Sequence, residues 1–287
     1  MGWLGGDDFS AGENIVLDST GNIYVTGYSD NADHGRDMTV WKYRSNGTLD
    51  SSFSGDGILV LNYNDGTSGN SIAVDSTGHI YVTGYIDGTV NRDMMTWKFK
   101  SDGTPDNSFN GNGIVRHNSA AGGDGIDVGN DMVLDSIGNI YVTGNSDNAD
   151  DSSEMVIWKY KSDGTLDATF DGDGVIASNA GLYTLAGDRL VEGTSIAMDG
   201  AGNVYVTGHG QSGMNRAMVI WKYQNDGTPD VSFDGDGIVI YDLPDYNNDF
   251  VGESIVLDSA GNIYITGSES ENWWFNTNPN MIIWKYK

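Results

Sequence analysis

A tripeptide of tryptophan, lysine and an aromatic residue occurs five times along the chain, at Trp41-Lys42-Tyr43, Trp97-Lys98-Phe99, Trp158-Lys159-Tyr160, Trp221-Lys222-Tyr223 and Trp284-Lys285-Tyr286. The tryptophans stand 56, 61, 63 and 63 residues apart. Self-similarity over the whole length restricts the chain to repeat architectures, in which each unit buries its apolar surface against its neighbours.

A second marker precedes each tripeptide. Asp18, Asp75, Asp135, Asp199 and Asp258 each open a turn such as Asp18-Ser19-Thr20-Gly21-Asn22, and a run such as Ile23-Tyr24-Val25-Thr26-Gly27 follows it. Turn residues between short runs rich in Ile, Val, Tyr and Thr predict a hairpin, here strands a and b. The run ending in the tripeptide is strand c. Strand d begins after a loop such as 45–57, at Ile58. Each unit thus carries four strands and no helix.

Strand interiors such as Met155-Val156-Ile157-Trp158 are apolar on both faces, where a half-exposed sheet would alternate with polar residues. Both faces must be covered. Four-stranded antiparallel units covered on both sides by copies of themselves are propeller blades. An open solenoid would need caps, and the sequence shows none. The expected fold is an all-β, five-bladed β-propeller in one domain, 1–287. Its units are approximately 14–70, 71–130, 131–194, 195–253, and 254–287 plus 1–13. Gly2-Trp3-Leu4 matches the start of strand d at Gly237-Ile238-Val239, so the N-terminal strand is expected to complete the last blade.

The blades differ at one end only. The marker aspartate and the glycine closing strand b are nine residues apart in all five copies. The first four tryptophans precede the last glycine before strand d by sixteen. The b–c connections, by contrast, run 11, 10, 11, 10 and 14 residues, and the d–a connections 14, 18, 21 and 17. In an up-and-down blade these two kinds of loop emerge at the same end, which makes the varied rim the expected functional surface.

On that rim, Trp273-Trp274-Phe275 occupies the longest b–c loop, beside Asn272 and Asn276. Exposed rings beside amides suit stacking on sugars; the alternatives are a local cluster over the channel mouth or a contact with another molecule. Asp245, Tyr246 and Asp249 of the neighbouring d–a loop extend this candidate ligand site. Asp30, Asp33 and Asp37, with Asp147, Asp150 and Asp151, form oxygen-rich loops of the kind calcium prefers, without EF-hand spacing. A solvated acidic loop explains them more simply. His34, His79, His117 and His209 are scattered, and the nucleophile-elbow, Walker and dinucleotide motifs are absent. The Trp-Lys-aromatic segments read as packing between blades, each lysine pairing with a turn carboxylate such as Asp18 with Lys42.

The chain has 14 Lys and Arg against 41 Asp and Glu, a net charge of −27. Such a field repels phosphate backbones and anionic lipid, so neither nucleic acid nor membrane insertion is expected. No run reaches the length and apolarity of a membrane-spanning helix. The start lacks the features of a signal peptide, which leaves a removed leader open. With no cysteine, disulfides and thiolate metal sites are excluded.

The segments Leu17–Gly27 and Tyr160–Gly174 resemble two bacterial repeat families, the SBBP β-propeller repeat and the delta-sixty repeat respectively. The resemblance implies a propeller within large secreted or surface-attached proteins, and no particular activity. The expected function is a non-enzymatic extracellular or cell-surface binding or scaffold module for a glycan or protein, as a monomer or part of a larger surface protein. The alternatives are a carbohydrate-active enzyme, built on a carboxylate pair across the channel mouth, and a calcium-stiffened spacer.

Overall fold

The structure is a computed structural model and describes residues 9–31, 35–63, 65–88, 91–182, 190–212, 215–242, 248–271 and 279–287. Nineteen strands form five antiparallel sheets, with no helix among the described residues. The first sheet holds β1 (Ser10–Leu17), β2 (Ile23–Asn31), β3 (Gly35–Tyr43) and β4 (Ile58–Leu61). The second holds β5 (Thr67–Val74), β6 (Ile80–Asp87), β7 (Arg92–Phe99) and β8 (Ile114–His117). The third holds β9 (Gly122–Leu134), β10 (Ile140–Asn148), β11 (Ser153–Tyr160) and β12 (Val175–Ser178). In the fourth lie β13 (Val191–Met198), β14 (Val204–Ser212), β15 (Asn215–Tyr223) and β16 (Ile238–Tyr241). The fifth comprises β17 (Asn248–Leu257), β18 (Ile263–Glu271) and β19 (Asn280–Tyr286). Strand order follows chain order in every sheet. The b–c and d–a connections therefore leave at one end, the varied rim, and the a–b and c–d connections at the other.

Local chemistry fixes the uniform rim. Asp18 accepts hydrogen bonds from the backbone N–H groups of Thr20 and Asn22, both at 2.9 Å, and Gly21 supplies the left-handed residue at φ +82°. Asp75, Asp135, Asp199 and Asp258 repeat the arrangement. Burial alone would raise the Asp18 carboxyl, yet the hydrogen bonds from Thr20 and Asn22 hold it well below the usual carboxylate range.

The marker aspartate is therefore not the partner of the strand-c lysine, as the sequence reading had it. Lys42 pairs with Asp50 of the c–d loop at 3.4 Å, Lys98 with Asp106 at 3.2 Å, Lys159 with Asp167 at 2.9 Å and Lys222 with Asp230 at 2.7 Å. Asp18 is committed to its own turn and to the Tyr24 hydroxyl, which donates to it at 3.3 Å.

Every strand a carries a bulge at the same place. The register slips between Gly12 and Asn14, Gly69 and Ser71, Gly193 and Ser195, and Gly252 and Ser254, and likewise around Asn130. In the second, third and fourth sheets the extra residue reaches into the next sheet. Asn70 donates to the Gly129 carbonyl at 3.0 Å, Asn130 to the Gly193 carbonyl at 2.9 Å, and Thr194 to the Gly252 carbonyl at 2.6 Å. Beside the bulge, strand b keeps a glycine, because a Cβ at Gly144 would run into the Val128 carbonyl oxygen.

Four apolar clusters make up the core, and each spans two successive sheets. Met38 and Val40 meet Ile72, Val82 and Trp97. Met94 and Phe109 meet Met132, Val142 and Trp158. Met155, Ile157 and Phe170 meet Ile196, Val206 and Trp221. Met218 and Ile220 meet Phe250, Ile255 and Trp284. Full burial of each such side chain contributes about 1.5–3 kcal/mol. Trp97, Trp158, Trp221 and Trp284 are packing residues, as their position inside strands led one to expect, and Trp41 of the first sheet is half-buried and belongs to none of these clusters. Among the described residues, the extensive contacts between sheets join neighbours in chain order. Residues 1–8, expected to complete the last blade, lie outside the described residues.

Candidate functional site

At the varied rim, strands b and c of each sheet present one cross-strand neighbourhood whose residues change from sheet to sheet. In the first sheet it is Tyr28 with Arg36, the guanidinium 4.1 Å over the ring, and in the second Tyr85 with Arg92 at 4.3 Å. The third has Asn145, whose amide donates to Ser153 at 3.0 Å. In the fourth sheet the same positions hold His209 and Arg216, and in the fifth Ser268 and Pro279. The scaffold is constant while the chemistry it displays is not.

Between the fourth and fifth sheets this end opens into a cleft of about 440 Å³. Glu192 and Thr194 of β13, His209 of β14 and Arg216 of β15 form one wall. Asp249, Val251 and Glu253 of β17, with Ser268 and Ser270 of β18 and Pro279, form the other. The Arg216 backbone N–H donates to Asp249 at 2.7 Å and ties the two walls together.

His209 is 95 % buried, and neither ring nitrogen has a hydrogen-bond partner. Burial, helped by the Arg216 charge, pushes its pKa down to about 4, so the ring is neutral at physiological pH. Its strand partner Glu192 approaches to 3.8 Å. Burial pushes the Glu192 carboxyl up, opposed by the hydrogen bond it accepts from Asn130 at 2.8 Å. A buried imidazole without partners is costly unless something else supplies hydrogen bonds. The cleft thus offers an unsatisfied neutral imidazole, hydroxyls, carboxylates and a guanidinium in one recess.

A recess of about 680 Å³ lies at the uniform rim, between the a–b turns of the third and fourth sheets. Its charged groups at the two turns are already engaged. Asp135 and Asp199 hold their own turns, and Lys159 pairs with Asp167.

Of the residues singled out in the sequence, Asp249 lines the cleft. Asn272, Trp273, Trp274, Phe275 and Asn276, with Asp245 and Tyr246, lie outside the described residues. So does Asp33 of the candidate calcium loops. Asp30 stands 3.9 Å from Arg36, and Asp37 is buried within β3. Asp147 accepts from the Ile126 N–H at 2.8 Å, and Asp150 is exposed in the turn that Asn148 caps. No three His, Asp or Glu side chains converge as a metal site among the described residues. Sequence reasoning missed Glu192, His209 and Arg216. The signal was present, since His209 follows the closing glycine of strand b, where the other copies carry Tyr28, Tyr85, Asn145 and Ser268.

Residues 19–53 and 138–170 match a family profile described as a β-propeller domain of unknown function, DUF5122. Residues 59–90 and 182–213 match the SBBP β-propeller repeat. No curated protein matches the chain. Among solved structures it is similar to a thermostable family-43 glycoside hydrolase, at 10% identity and a TM-score of 0.48, over 98% of this chain and 90% of that one. A protein of unknown function from Dyadobacter fermentans shares 9% identity at a TM-score of 0.46, over 91% and 75% of the two chains. A gluconolactonase from Xanthomonas campestris shares 14% at 0.40, over 90% and 69%. Likeness at this level says nothing of activity. The repeats themselves are matched in sequence at four places spread from the first sheet to the fourth, which supports a β-propeller repeat family.

Proposed function

We propose that the chain is a binding module of the cell surface or extracellular space, and that its ligand is a glycan seated in the cleft between the fourth and fifth sheets. One observation carries this reading: His209, buried and without partners, faces a polar recess on the only rim where the repeats differ in length. A sugar supplies both donors and acceptors, which a neutral imidazole can satisfy from either side. Thr194, Ser268, Ser270, Glu253 and Arg216 add the hydroxyl, carboxylate and guanidinium partners that orient such a ligand.

The test is a panel of neutral and acidic oligosaccharides, followed by calorimetric titration of those that bind. His209→Ala and Glu253→Gln are expected to weaken binding about tenfold or more, the loss of one or two ligand hydrogen bonds. Ile137→Ser, in the recess of the opposite rim, is expected to leave it unchanged. Equal affinity in the His209 variant would remove the site. Trp273 and Trp274 stand between the lining residues Ser270 and Pro279 in sequence, so their replacement by Ala tests the expected stacking in the same titration.

A second reading, glycan cleavage, draws on one feature of the same cleft. A carboxyl pushed up by burial beside a neutral imidazole is an acid–base pair of the kind hydrolytic and eliminative chemistry uses. Release of new reducing ends from a bound oligosaccharide, abolished in Glu192→Gln, separates this reading from simple binding.

A further inference from the structure

The cleft between the fourth and fifth sheets is unbalanced in charge. Arg216 is the one cationic side chain among its lining residues, against the carboxyls of Glu192, Asp249 and Glu253. Among the described residues no lysine or arginine forms an ion pair with any of the three, and the basic group that reaches Glu192, at 3.8 Å, is the imidazole of His209. Glu253 is the exposed bulge residue of β17, at the position that Asn70, Asn130 and Thr194 hold in the three preceding sheets. Burial pushes the Glu192 carboxyl up, and the charge of Glu253 adds to that push.

A cation placed between these carboxyls relieves the crowding. Among the described residues no three His, Asp or Glu side chains converge as a metal site, so the cation that fits is an organic one. His209 selects further. The ring is 95 % buried, both its nitrogens lack partners, and a neutral imidazole accepts at one nitrogen and donates at the other. Thr194, Ser268 and Ser270 line the same recess, and their hydroxyls can donate as well as accept. An ammonium on an apolar stem has only N–H donors and leaves these donors unused, whereas a sugar ring supplies oxygens for them.

Resting on the glycan reading above, we infer that the ligand is an amino sugar, its ammonium group set against Glu192 and Glu253 and donating to His209, its ring oxygens on Thr194, Ser268 and Ser270. The net charge of −27 acts in the same direction by drawing cations towards the whole molecule.

Calorimetric titration at about pH 6, below the ordinary range of an amine, compares a glucosamine hexamer with the N-acetylglucosamine hexamer, which has the same backbone and no charge. The glucosamine hexamer is expected to bind about tenfold or more tighter, through charge-assisted hydrogen bonds, and to weaken as salt is added. Glu253→Gln is expected to remove most of that preference. Asp173→Asn takes the same charge from an exposed loop of the opposite rim and is expected to leave the preference intact. Hexalysine, the probe for a basic peptide, is expected to bind more weakly and to be insensitive to His209→Ala.

Equal affinities for the two hexamers overturn the inference and leave the glycan reading in place. A preference that survives Glu253→Gln, or falls equally in Asp173→Asn, overturns it as an effect of overall charge. Hexalysine binding that is tighter and is lost in His209→Ala overturns it in favour of a basic peptide. Failure of the whole oligosaccharide panel to bind is the separate result that removes the glycan reading, and the inference with it.

Discussion

The Asp131 carboxylate accepts a hydrogen bond from the Ser195 hydroxyl of the next sheet at 2.8 Å, and its other oxygen accepts from Ser71 of the preceding sheet at the same distance. One side chain in the middle of the array thus links three sheets. It also receives the Ile196 N–H at 3.0 Å. Asp131→Ala removes the acceptor of two buried hydroxyls and of two backbone donors, those of Ile196 and Met132, an expected loss of about 2–3 kcal/mol. Urea denaturation should show a lower midpoint, and Asp131→Asn, which keeps an acceptor, should lose less.

The strand-c lysines are expected to behave as buried ion pairs. The side chains of Lys159 and Asp167 are each 8 % exposed, and the ammonium lies over the rings of Tyr141 and Phe170 at 5.1 and 5.4 Å. Lys159→Ala strands the carboxylate and should cost about 3–5 kcal/mol. Replacing both partners, with Lys159→Met and Asp167→Asn, should recover much of that loss, as read from thermal unfolding.

Acid should weaken the fold through the same pairs. Hydrogen bonds from Ser52 and Arg44 bring Asp50 down from 3.8 to about 2, and those from Lys222 and Ser232 bring Asp230 to about 2. A depressed carboxylate contributes stability that is complete above its unfolded pKa and is lost as pH falls through the folded one. The unfolding midpoint should therefore drop between about pH 4 and pH 2. Asp50→Asn should lower stability at neutral pH and flatten the acid limb.

His209 has a different window. Its folded pKa is about 4 against an ordinary 6.5, so the unfolded chain binds the proton more tightly and stability falls as pH drops from 6.5 towards 4. The largest slope one group can give is about 1.4 kcal/mol per pH unit. Glu192 acts in the opposite sense, because a raised carboxyl favours folding at low pH and loses that contribution as pH rises. Arg216, Asp249 and Glu253 share the cleft. The comparison that isolates the imidazole is His209→Gln against the parent chain, in which the difference in unfolding free energy should change across this range.

Gly144→Ala tests the bulge. The added methyl runs into the Val128 carbonyl oxygen, and the shift needed to relieve it should cost about 2–3 kcal/mol. Gly172, whose surroundings are open, lies in a loop at φ +91°, and alanine there should cost about 1–2 kcal/mol through backbone strain alone.

How far the sequence could be read follows from which signals are periodic. The strands, their order and the uniform rim were legible because Asp18, Gly27 and Trp41 recur at fixed spacing. The lysine partner was not, since Asp18 and Asp50 are both recurrent aspartates and only hydrogen bonds from Thr20 and Asn22 show the first to be engaged. Of the residues lining the cleft, Asp249 was the one singled out in the sequence. The chemistry of the cleft was not legible, because Glu192, His209 and Arg216 lie on separate strands and converge only when β13, β14 and β15 pair.

The bulge residues Asn70, Asn130 and Thr194, each reaching from a strand a into the next sheet, make the three joints between the second and fifth sheets resemble one another in backbone as well as side chain. An architecture whose joints are interchangeable can gain or lose a module by duplication or deletion in its gene without redesign of what remains. Its resistance to denaturant should then scale with the number of joints.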